Sequence, residues 1–537
     1  MAQSLGSLGA HLERRSVVSV LLFPFQAYTS KPYRLLLFRR SDKVSTYRRK
    51  LAPIAGSIES TDKTPLDAAW RELNEETGLG PQQIDLWRRG LGFEFTDETA
   101  ISGKDGKGEK VGRIWHVWPF AFRFKKEFAF EPDNFDKSAL KLNFEHLNFE
   151  WEAVDSVLGG QILDDCVPRL EITLGQVWVD PESILHRGLE ELRLDHSHGA
   201  RELATVAVNT LIKIVENDQQ SDVLEDVNGW WRDFRMKAFH LAFNGRPSMA
   251  AAISSAIISA LTEISGIVAS ARSDVLAQVK QTLQGYVAKR GEISKRVSSQ
   301  FYSFLQERFG QTGGERQIKI LTLSSSSTIK AAILHSLDTD ERRLIELRIL
   351  ESRPLFEGVN FAKALTDEAN ARREDPSRGP QFRDRLRIVL TTDASVGLLS
   401  KDADLVIIGA DRISEAGDVS NKMGSLAAIV TSKETTNGSA TVVCISEAEK
   451  IAPPGAIEEH PDEDNDKNEV MRNWDLPASS LWDQMATVRN VYFEWVPSKY
   501  IDYYVCENGI LSTDDIKKQS KLVSEETAKM FSDLQRI

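Results

Sequence analysis

The last third of the chain alternates short apolar runs with helical segments, and this pattern restricts the possible folds more than any other feature of the sequence. Six runs from about residue 316 onward are predicted to be strands: "IKILTLS", "LIELRILES", "RLRIVLTTD", "ADLVIIGAD", "ATVVCIS" and "NVYFEWV". Each run is almost continuously apolar, which is typical of strands covered on both faces by helices. The alternation predicts a doubly wound, Rossmann-like parallel sheet over residues 316–537.

The rest of the chain shows two other patterns. Apolar residues recur at three- and four-residue spacing in "ARELATVAVNTLIKIVE" and "DVLAQVKQTLQGYVAK", so residues 183–315 are predicted to form a helical subdomain. Residues 1–182 are rich in strand-like runs such as "SVVSVLLFPF" and contain one clear helix, at 65–79. Because 537 residues are too many for a single hydrophobic core, we predict an α/β multidomain protein with these three domains.

Charge and cysteine content exclude several functional classes. The chain has 67 basic and 79 acidic residues, a net charge of −12, which argues against nucleic acid as a partner. The three cysteines, Cys166, Cys444 and Cys506, include no CxxC pair, so we expect a reducing compartment and neither a disulfide framework nor a zinc site. The acidic run at 457–469 is predicted to be a solvated insertion.

The longest apolar stretch, at residues 249–269, is long enough to cross a bilayer. Glu263 and four serines within it favour a buried bundle helix instead. The N-terminal sequence "MAQSLGSLGAHLERRSVV" lacks the apolar region of a signal peptide. These observations predict a cytoplasmic protein without a membrane partner.

The stretch "GSIESTDKTPLDAAWRELNEETGLG", residues 56–80, carries the strongest chemical pattern of the N-terminal domain. Thr64 is a predicted N-cap, Pro65 suits the first helical position, and Gly78 or Gly80 ends the helix. Three glutamates then lie on one helical face at i, i+3 and i+4: Glu72, Glu75 and Glu76. Three carboxylates this close repel one another unless a divalent cation such as Mg²⁺ binds them. An ordinary acidic surface helix is the alternative.

The same stretch resembles the signature of the Nudix hydrolases, G-x5-E-x7-REU-x-EE-x-GU, where U is an aliphatic residue. Its second half is matched residue by residue by Arg71, Glu72, Leu73, Glu75, Glu76, Gly78 and Leu79. The resemblance implies a Nudix α/β/α sandwich over roughly residues 14–180 and attack of water on a diphosphate. It also implies Mg²⁺ or Mn²⁺ held by Glu72, Glu75 and Glu76 together with Gly56, and Arg71 supporting the glutamates.

The first half of the signature departs from the family pattern. The glycine falls on Gly56 only if one residue is inserted, and the first glutamate falls on Lys63 or, with the insertion, on Asp62. This departure puts full catalytic competence in question but leaves the main metal ligands in place. A later segment, "FEHLNFEW", contains Glu145, which is either an auxiliary base or, more commonly at such a position, a surface residue.

Polar residues follow the predicted C-terminal strands, where ligands bind in a doubly wound sheet. The positions at these strand ends and in the loops beside them are Ser324, Ser325, Ser326, Glu351, Arg353, Asp393, Asp411, Asn421 and Lys422. A serine-rich loop that opens a helix offers amide and hydroxyl donors, and Arg353 and Lys422 add positive charge suited to a phosphate. The set predicts a site for a phosphorylated polyol; strand-end caps and turn formers are the alternative.

The C-terminal half also resembles a superfamily that contains the alpha, beta and delta subunits of translation initiation factor 2B, methylthioribose-1-phosphate isomerase and ribose-1,5-bisphosphate isomerase. The matching segments include "HGARELA", "GRPSMA" with Arg246, "ESRP", "TTDAS", "GADRISEAGDVSNKMGS" and "YIDYYVCENGILS". The isomerases place a cysteine where this chain has Ser324, and that cysteine works with the aspartate equivalent to Asp411. Since serine is a poor substitute for a thiol in proton transfer, the resemblance favours binding over isomerisation.

These patterns lead to one function and two alternatives. We predict a Mg²⁺-dependent hydrolase of a nucleoside-diphosphate-linked substrate, such as a sugar nucleotide, with a C-terminal module that binds a sugar phosphate or nucleotide. The first alternative is an isomerase of phosphorylated ribose that uses Asp411 and Ser324. The second is a non-enzymatic regulatory protein like the initiation-factor subunits. The resemblance further implies a homodimer formed through the C-terminal half.

Overall fold

The computed structural model describes residues 13–28, 31–102, 110–128, 130–132, 137–195, 199–219, 226–246, 249–270, 274–310, 317–373, 382–455, 465–472, 474 and 486–536. The chain divides into two compact units. Unit 1 comprises Met1–Glu191, Asp226–Gly245 and Ala528–Ile537, and unit 2 comprises Leu192–Glu225 and Arg246–Thr527. The three domain ranges predicted from the sequence stay a prediction. The two units follow packing and not sequence order: residues 226–245 and 528–537 belong to unit 1, although they lie outside the predicted N-terminal domain.

Unit 1 begins with eight strands and short helices. The strands are β1 (Glu13–Phe23), β2 (Arg34–Arg40), β3 (Leu51–Ala52), β4 (Ile54–Ser57), β5 (Ile84–Arg89), β6 (Phe93–Ser102), β7 (Lys110–Phe124) and β8 (His146–Ala153). The helices up to residue 194 are α1 (Pro65–Thr77), α2 (Val154–Leu158), α3 (Leu170–Gly175) and α4 (Ile184–Leu194).

These strands form one mixed sheet with helices on both faces. Its main path runs β3-β2-β1-β7-β5, while β4 pairs with β1, β6 with β7 and β8 with β2. On one face, Leu73 and the alanines of α1 pack against Val20, Leu22 and Phe122. On the other face, α2 and α3 pack against Leu21 and Phe23. Because alternate residues of β1 point to opposite faces, a nearly continuous apolar strand supplies both cores, and the result is the predicted α/β/α sandwich.

Helices dominate the middle of the chain, as the spacing of apolar residues predicts. They are α5 (Ala200–Asp218), α6 (Val227–Asn244), α7 (Ala250–Ala269) and α8 (Val275–Phe309). Within the described residues, α7 is the one helix long and apolar enough to cross a membrane, but 67% of its most apolar 18-residue window is buried inside the fold. Helix α7 packs against α5 and α8, which agrees with the predicted bundle helix.

Strands and helices alternate in the remainder of the chain. The strands are β9 (Gln317–Leu323), β10 (Leu344–Leu350), β11 (Leu386–Thr391), β12 (Leu405–Ile408), β13 (Arg412–Ile413), β14 (Val419–Lys422), β15 (Thr441–Ile445), β16 (Phe493–Val496), β17 (Tyr503–Cys506) and β18 (Gly509–Leu511). The helices are α9 (Ser327–Thr339), α10 (Glu357–Arg373), α11 (Phe382–Arg385), α12 (Val396–Leu399), α13 (Ser425–Thr435), α14 (Lys467–Met471) and α15 (Thr513–Phe531).

Unit 2 contains the predicted doubly wound sheet. Its strand order is β11-β10-β9-β12-β15-β17-β18, and all pairs are parallel except the final hairpin. Residues from α8, α9 and α10 cover one face, and residues from α12, α13 and α15 cover the other. The order of connection reverses between β9 and β12, so the loops after these two strands flank the crevice where ligands bind in such folds.

One predicted strand lies in a different sheet. The run "NVYFEWV" forms β16, which pairs antiparallel with β14 in a small sheet of β13, β14 and β16. The sixth parallel strand is β17, from the segment "YIDYYVCENGILS". The prediction was wrong here because Tyr503–Cys506 is only four residues long and is flanked by polar residues, which hides a buried strand in the sequence.

Candidate functional site

Helix α1 is fixed at both ends by the residues that the sequence predicts. The Thr64 side chain accepts a hydrogen bond from the Asp67 amide at 3.2 Å, and the Asp67 carboxylate accepts one from the Thr64 amide at 2.9 Å. Pro65 is the first helical residue, and Gly78 ends the helix in the left-handed conformation with φ 72°. This capping box and the C-terminal glycine set the register of the three glutamates.

Gly56 on β4 lies directly against the Glu72 carboxyl group of α1. A Cβ atom at position 56 would overlap the carboxyl carbon and both oxygens of Glu72. Glycine is therefore required at this position by close approach of a side chain, since its φ lies outside the left-handed region. The contact places Gly56 beside Glu72, one of the metal ligands that the resemblance implies. Gly56 fits the signature only with one inserted residue.

Arg71 connects the loop before α1 to the glutamates. Its guanidinium donates to both carboxylate oxygens of Asp62, at 3.1 and 2.9 Å, and to Glu72 Oε1 at 2.7 Å. It also donates to the Ser57 carbonyl at 2.9 Å and lies 3.5 Å from Glu75 Oε2. The Arg71 hydrogen bond holds the pKa of Asp62 below its usual range even though partial burial opposes the shift. Asp62, and not Lys63, therefore makes the carboxylate contact at the position of the signature's first glutamate.

Burial dominates the electrostatics of Glu72 and Glu76. Burial raises the pKa of Glu72 to about 7, with the Arg71 hydrogen bond opposing it. Burial, with the charge of Glu145 nearby, raises the pKa of Glu76 to about 8. Glu76 Oε2 contacts Nε2 of His146, whose pKa burial lowers to about 4. Because a bound cation favours the ionised form of nearby carboxyl groups, these two buried glutamates are chemically suited to hold one.

His146 was missed by the sequence analysis, although it follows the predicted candidate Glu145 directly. His146 is the first residue of β8, and Glu145 is the residue before it. Strand β8 pairs with β2, so His146 lies opposite Arg40. Only this pairing brings His146 against α1, 70 residues earlier in the sequence. No local signal in "FEHLNFEW" distinguishes a histidine that contacts a glutamate from one that faces solvent.

The three glutamates do not converge on one point in this conformation. Among the described residues, no group of three or more His, Cys, Asp or Glu side chains is arranged to hold a metal ion. Glu72 is paired with Arg71, Glu76 contacts His146, and the Glu75 side chain is 56% exposed. The donor set nevertheless fits a hard divalent cation, because carboxylates and a glycine backbone lie at one end of the helix face.

A separate cavity of about 320 Å³ lies in unit 1. Its lining residues are Phe95, Thr96, Asp97, Leu163, Val167, Pro168, Arg169 and Glu171. None of the predicted site residues is in this set, and the carboxylates of α1 are not part of its wall. We assign no ligand to it.

In unit 2, the serine run follows β9 and opens α9, as the sequence predicts. Ser326 is the N-cap and accepts a hydrogen bond from the Ile329 amide at 3.2 Å. Ser325 is exposed, and Ser327 begins the helix and donates to Glu202 at 3.1 Å. Ser324 is buried and left-handed, with φ 65°. The run is therefore a structured strand-to-helix loop beside the crevice.

Arg353 and Asp393 lie after the neighbouring strands β10 and β11. The Asp393 carboxylate accepts hydrogen bonds from the Ser352 and Arg353 amides, both at 2.8 Å. Asp393 thus fixes a turn, which is the alternative that the sequence analysis left open for it. Arg353 is exposed, and its guanidinium lies 5.3 Å from the centre of the Phe356 ring. Among the described side chains, no carboxylate pairs with it.

Asp411, Asn421 and Lys422 lie on the β12 side of the crevice. Burial raises the pKa of Asp411, while the charges of Lys450 and Lys422 act in the opposite direction. Among the described residues, no side chain donates a hydrogen bond to the Asp411 carboxylate; its amide donates to the Ser420 carbonyl at 2.9 Å. Asn421 is buried and donates to Ser425 at 2.9 Å. Lys422 Nζ lies 3.0 Å from Glu357 Oε1.

Three charged residues of this region were missed by the sequence analysis: Glu357, Glu447 and Lys450. Lys450 Nζ lies 3.3 Å from Glu447 Oε2, and the Thr328 hydroxyl donates to Glu447 Oε1 at 2.6 Å. Burial alone would raise the pKa of Glu447, but Lys450 and Thr328 outweigh it and lower the pKa to about 2. The sequence does contain a signal for Glu447 and Lys450: the charged segment "SEAEK" follows a predicted strand end, where ligand-binding residues are expected.

Arg246 completes the set of predicted ligand-binding positions, and Cys444 is not one of them. Arg246 is buried and donates to the Asp195 carbonyl, and its charge acts on Asp411. Cys444 is buried on β15, and burial raises the pKa of its thiol to about 12, so it offers no thiolate near neutral pH. The structure thus brings Ser324, Lys422 and Arg246 to the same end of the sheet as Asp411.

Comparison with known proteins finds two domains of different families in the chain. Residues 13–163 match the model of the NUDIX domain, and residues 382–513 match that of the initiation factor 2 subunit family. The chain is 25% identical over 333 residues to a translation initiation factor eIF-2B subunit 2-like protein of Pyrococcus furiosus, covering 62% of this chain and 97% of that protein. It is 28% identical over 143 residues to methylthioribose-1-phosphate isomerase of Magnetococcus marinus, covering 26% of this chain and 39% of the isomerase.

A ribose 1,5-bisphosphate isomerase of Pyrococcus furiosus is 25% identical over 207 residues, which cover 38% of this chain and 57% of that enzyme. Among solved structures, the Pyrococcus horikoshii translation initiation factor eIF-2B is 21% identical, with a TM-score of 0.43, and covers 61% of this chain and 96% of that chain. Both resemblances predicted from the sequence are confirmed. A NUDIX domain supports a hydrolase, and the second region supports an isomerase-like or regulatory module.

Proposed function

Because the chain combines a NUDIX domain at residues 13–163 with an initiation factor 2 subunit family domain at residues 382–513, we propose that it hydrolyses a nucleoside-diphosphate-linked substrate, such as a sugar nucleotide. The observation that carries this proposal is the contact set of Gly56, Arg71 and Glu72. Gly56 leaves space for the Glu72 carboxyl group, and Arg71 donates hydrogen bonds to both Asp62 and Glu72. These contacts fix the position of the Glu72 carboxylate, as expected where that position matters for function.

Mg²⁺, or Mn²⁺, is the proposed cofactor. Glu72, Glu75 and Glu76 would hold it together with the backbone at Gly56, since these are hard oxygen donors. Such an ion, when bound, polarises a phosphoryl oxygen and favours ionisation of an attacking water. The residues themselves orient the site: Arg71 holds Glu72, and His146 contacts Glu76.

For unit 2 we propose the binding of a sugar phosphate or nucleotide at the crevice after β9 and β12. Lys422, Arg353 and Arg246 supply positive charge for a phosphate. The charges of Lys422 and Arg246 act on Asp411, whose carboxyl group suits the hydroxyl groups of a ligand. Hydrolysis of a nucleotide sugar releases a nucleotide and a sugar phosphate, so a product of unit 1 would suit the site of unit 2. A cytoplasmic location and a homodimer formed through unit 2 belong to the same proposal.

Isomerisation of a phosphorylated ribose is the second candidate function. The observation that favours it is Asp411, whose carboxyl group has a raised pKa and no side-chain donor among the described residues. A carboxyl group of this kind is suited to proton transfer. Ketose formation from ribose 1,5-bisphosphate or methylthioribose 1-phosphate tests this candidate, and the absence of ketose from both would end it.

A Mg²⁺-dependent screen of diphosphate substrates tests the hydrolase. The panel would contain nucleotide sugars, dinucleoside polyphosphates and nucleoside triphosphates, with Glu75→Gln and Glu76→Gln as blanks. Glu182→Gln, at an exposed glutamate of unit 1, is the matched control. We expect at least one substrate to be cleaved by the wild type and by Glu182→Gln, and about 100-fold slower by Glu76→Gln. Equal cleavage rates in all variants would mean that the metal site is vestigial, and no cleavage of any substrate by the wild type would favour a purely regulatory protein.

A further inference from the structure

Glu357 contacts two of the predicted ligand-binding residues of unit 2. It is the first residue of α10 and its side chain is 24% exposed. One carboxylate oxygen accepts a hydrogen bond from the Ser324 hydroxyl at 3.1 Å, and the other lies 3.0 Å from Lys422 Nζ. Both partners are predicted ligand-binding residues, so Glu357 lies between them in the crevice.

Ser324 is held in an unusual conformation by this contact. Its φ of 65° is uncommon for a serine, and its amide donates to the Ser352 hydroxyl at 2.7 Å. A strained residue near a candidate site is a reason to look for function. With its proton directed to Glu357, the Ser324 hydroxyl has lone pairs left for a ligand but is too weak an acid to exchange protons with carbon.

We infer that Glu357, and not Ser324, is paired with Asp411 as the proton-transfer couple of unit 2, acting on a phosphorylated aldose. The inference deepens the proposed function, because it assumes that this crevice takes a sugar phosphate. Two carboxyl groups at one site take different roles when their environments differ. Glu357 lies 3.0 Å from the Lys422 ammonium and accepts a hydrogen bond from Ser324, a geometry that suits a base, whereas burial around Asp411 favours its protonated form, which suits it to donate a proton.

The proton movements balance within the couple. Glu357 removes the proton from C2 of a cyclic aldose 1-phosphate, the C2–H electron pair forms a C1=C2 double bond, and the C1–ring oxygen bond breaks as that oxygen takes the proton of Asp411. The proton on Glu357, whose side chain is 24% exposed, exchanges with solvent. The enol then returns its hydroxyl proton to Asp411 and takes the exchanged proton of Glu357 at C1. C2 becomes a carbonyl while C1 is reduced, so no external oxidant is needed, and both residues regain their starting states.

Solvent deuterium incorporation tests the inference on the full chain. Ribose 1,5-bisphosphate is the probe, incubated in D₂O with the wild type, Glu357→Gln, Glu357→Asp, Ser324→Ala and the control Glu368→Gln, which lies further along α10. Calorimetry measures binding of the same probe to each variant. We expect the wild type and the control Glu368→Gln to form ketose with deuterium at C1 at similar rates. Ser324→Ala, which loses a ligand contact, should bind the probe more weakly but react within about tenfold of the wild type at saturating probe. Glu357→Gln should bind the probe but react at least about 100-fold slower, and Glu357→Asp should recover part of the rate.

Two results would overturn the inference. One is a Glu357→Gln rate equal to that of the wild type, or a Ser324→Ala rate that falls equally far. The other is a wild type that binds the probe without ketose formation or deuterium incorporation, which would leave the proposed binding function standing. If calorimetry shows no binding to the wild type, the proposed function of unit 2 fails together with the inference.

Discussion

At the scale of single residues, the lack of a Cβ atom at Gly56 determines where the Glu72 carboxyl group can lie. The Glu72 carboxyl group occupies the space that a Cβ at position 56 would need. Arg71 donates a hydrogen bond to the same carboxylate at 2.7 Å. Glu72 is therefore positioned by packing and charge together, which is the arrangement that a metal ligand requires.

Substituting Gly56 tests this positioning. In Gly56→Ala, the added methyl group displaces the Glu72 carboxylate, and a displacement of about 1 Å is enough to reduce a reaction rate by roughly 100-fold. We expect Mg²⁺-dependent hydrolysis to fall by at least tenfold while circular dichroism reports an intact fold. Gly80→Ala is the control, since the nearest atom to its added Cβ is Gln83 Oε1 at 3.8 Å. Unchanged hydrolysis in Gly56→Ala would show that Glu72 does not need this position.

His240 predicts an acid-dependent loss of stability in unit 1. Burial lowers the pKa of His240 to about 3, and its Nδ1 lies 3.0 Å from Asn244 Nδ2. Because the folded state binds fewer protons than the unfolded state, whose histidine titrates near pH 6.5, the stabilisation from neutral His240 is complete above that pH and is lost as the pH falls toward 3.

The slope is about 1.4 kcal/mol per pH unit below pH 6.5. The advantage of the wild type over His240→Gln in the free energy of unfolding should therefore shrink by roughly 2 kcal/mol between pH 6.5 and pH 5. Urea denaturation followed by tryptophan fluorescence measures both proteins. A difference that stays constant over this range would contradict the assignment of a depressed pKa to His240.

At the scale of elements, strand-end loops in unit 2 are held by side chains that cap backbone amides. Asp393 accepts from two successive amides, those of Ser352 and Arg353, and so joins the end of β11 to the end of β10. The turn it fixes carries Arg353, a predicted phosphate-binding residue. In the proposed ligand site, Asp393 is therefore a positioning residue that would act through Arg353.

Removing this cap should loosen the turn. In Asp393→Ala, two amides lose a charged acceptor, and we expect the local stability of the turn to fall by about 1–3 kcal/mol. Hydrogen exchange at the Ser352 and Arg353 amides should accelerate, and the affinity for a sugar phosphate should fall severalfold. Asp393→Asn retains one acceptor oxygen and should show a smaller change. Unaltered exchange in Asp393→Ala would contradict the capping role.

Elements whose signals are local could be predicted from the sequence, and those defined by long-range packing could not. Helix α1 follows from Thr64, Pro65 and Gly78, which all act within one turn of its ends. Strand β17 escaped prediction because its four residues are recognisable only when paired with β15. The same reason applies to His146 and Glu357, which meet Glu76 and Ser324 only after the sheets form.

At the scale of the whole molecule, the chain enters unit 1 three times. Helix α6 packs there against β5, and Arg235 on α6 donates to Asp533 at 2.6 and 2.7 Å and to the Met530 carbonyl at 2.7 Å. The last residues of unit 1 are thus tied to a helix almost 300 positions earlier in the sequence. Sequence ranges alone give no sign of this connection.

Arg235→Ala should destabilise unit 1 selectively. Asp533 is 54% exposed, so the expected loss is moderated by solvent, at about 1–3 kcal/mol. Hydrogen exchange should accelerate in β5 and α6, and remain unchanged in β9 and β10. Lys237→Ala, which removes a more exposed ion pair on the same helix, should change exchange much less. Equal acceleration in both units would show that they do not unfold separately.

The central claim is that α1 is a working, divalent-cation-dependent hydrolase centre. The most direct measurement is the rate of diphosphate cleavage of a nucleotide sugar, followed by ³¹P NMR while MgCl₂ is titrated into the metal-free protein. We expect a rate that rises from near zero to a plateau in the wild type and stays about 100-fold lower in Glu76→Gln at every Mg²⁺ concentration. A wild-type rate independent of Mg²⁺, or equal in Glu76→Gln, would contradict it.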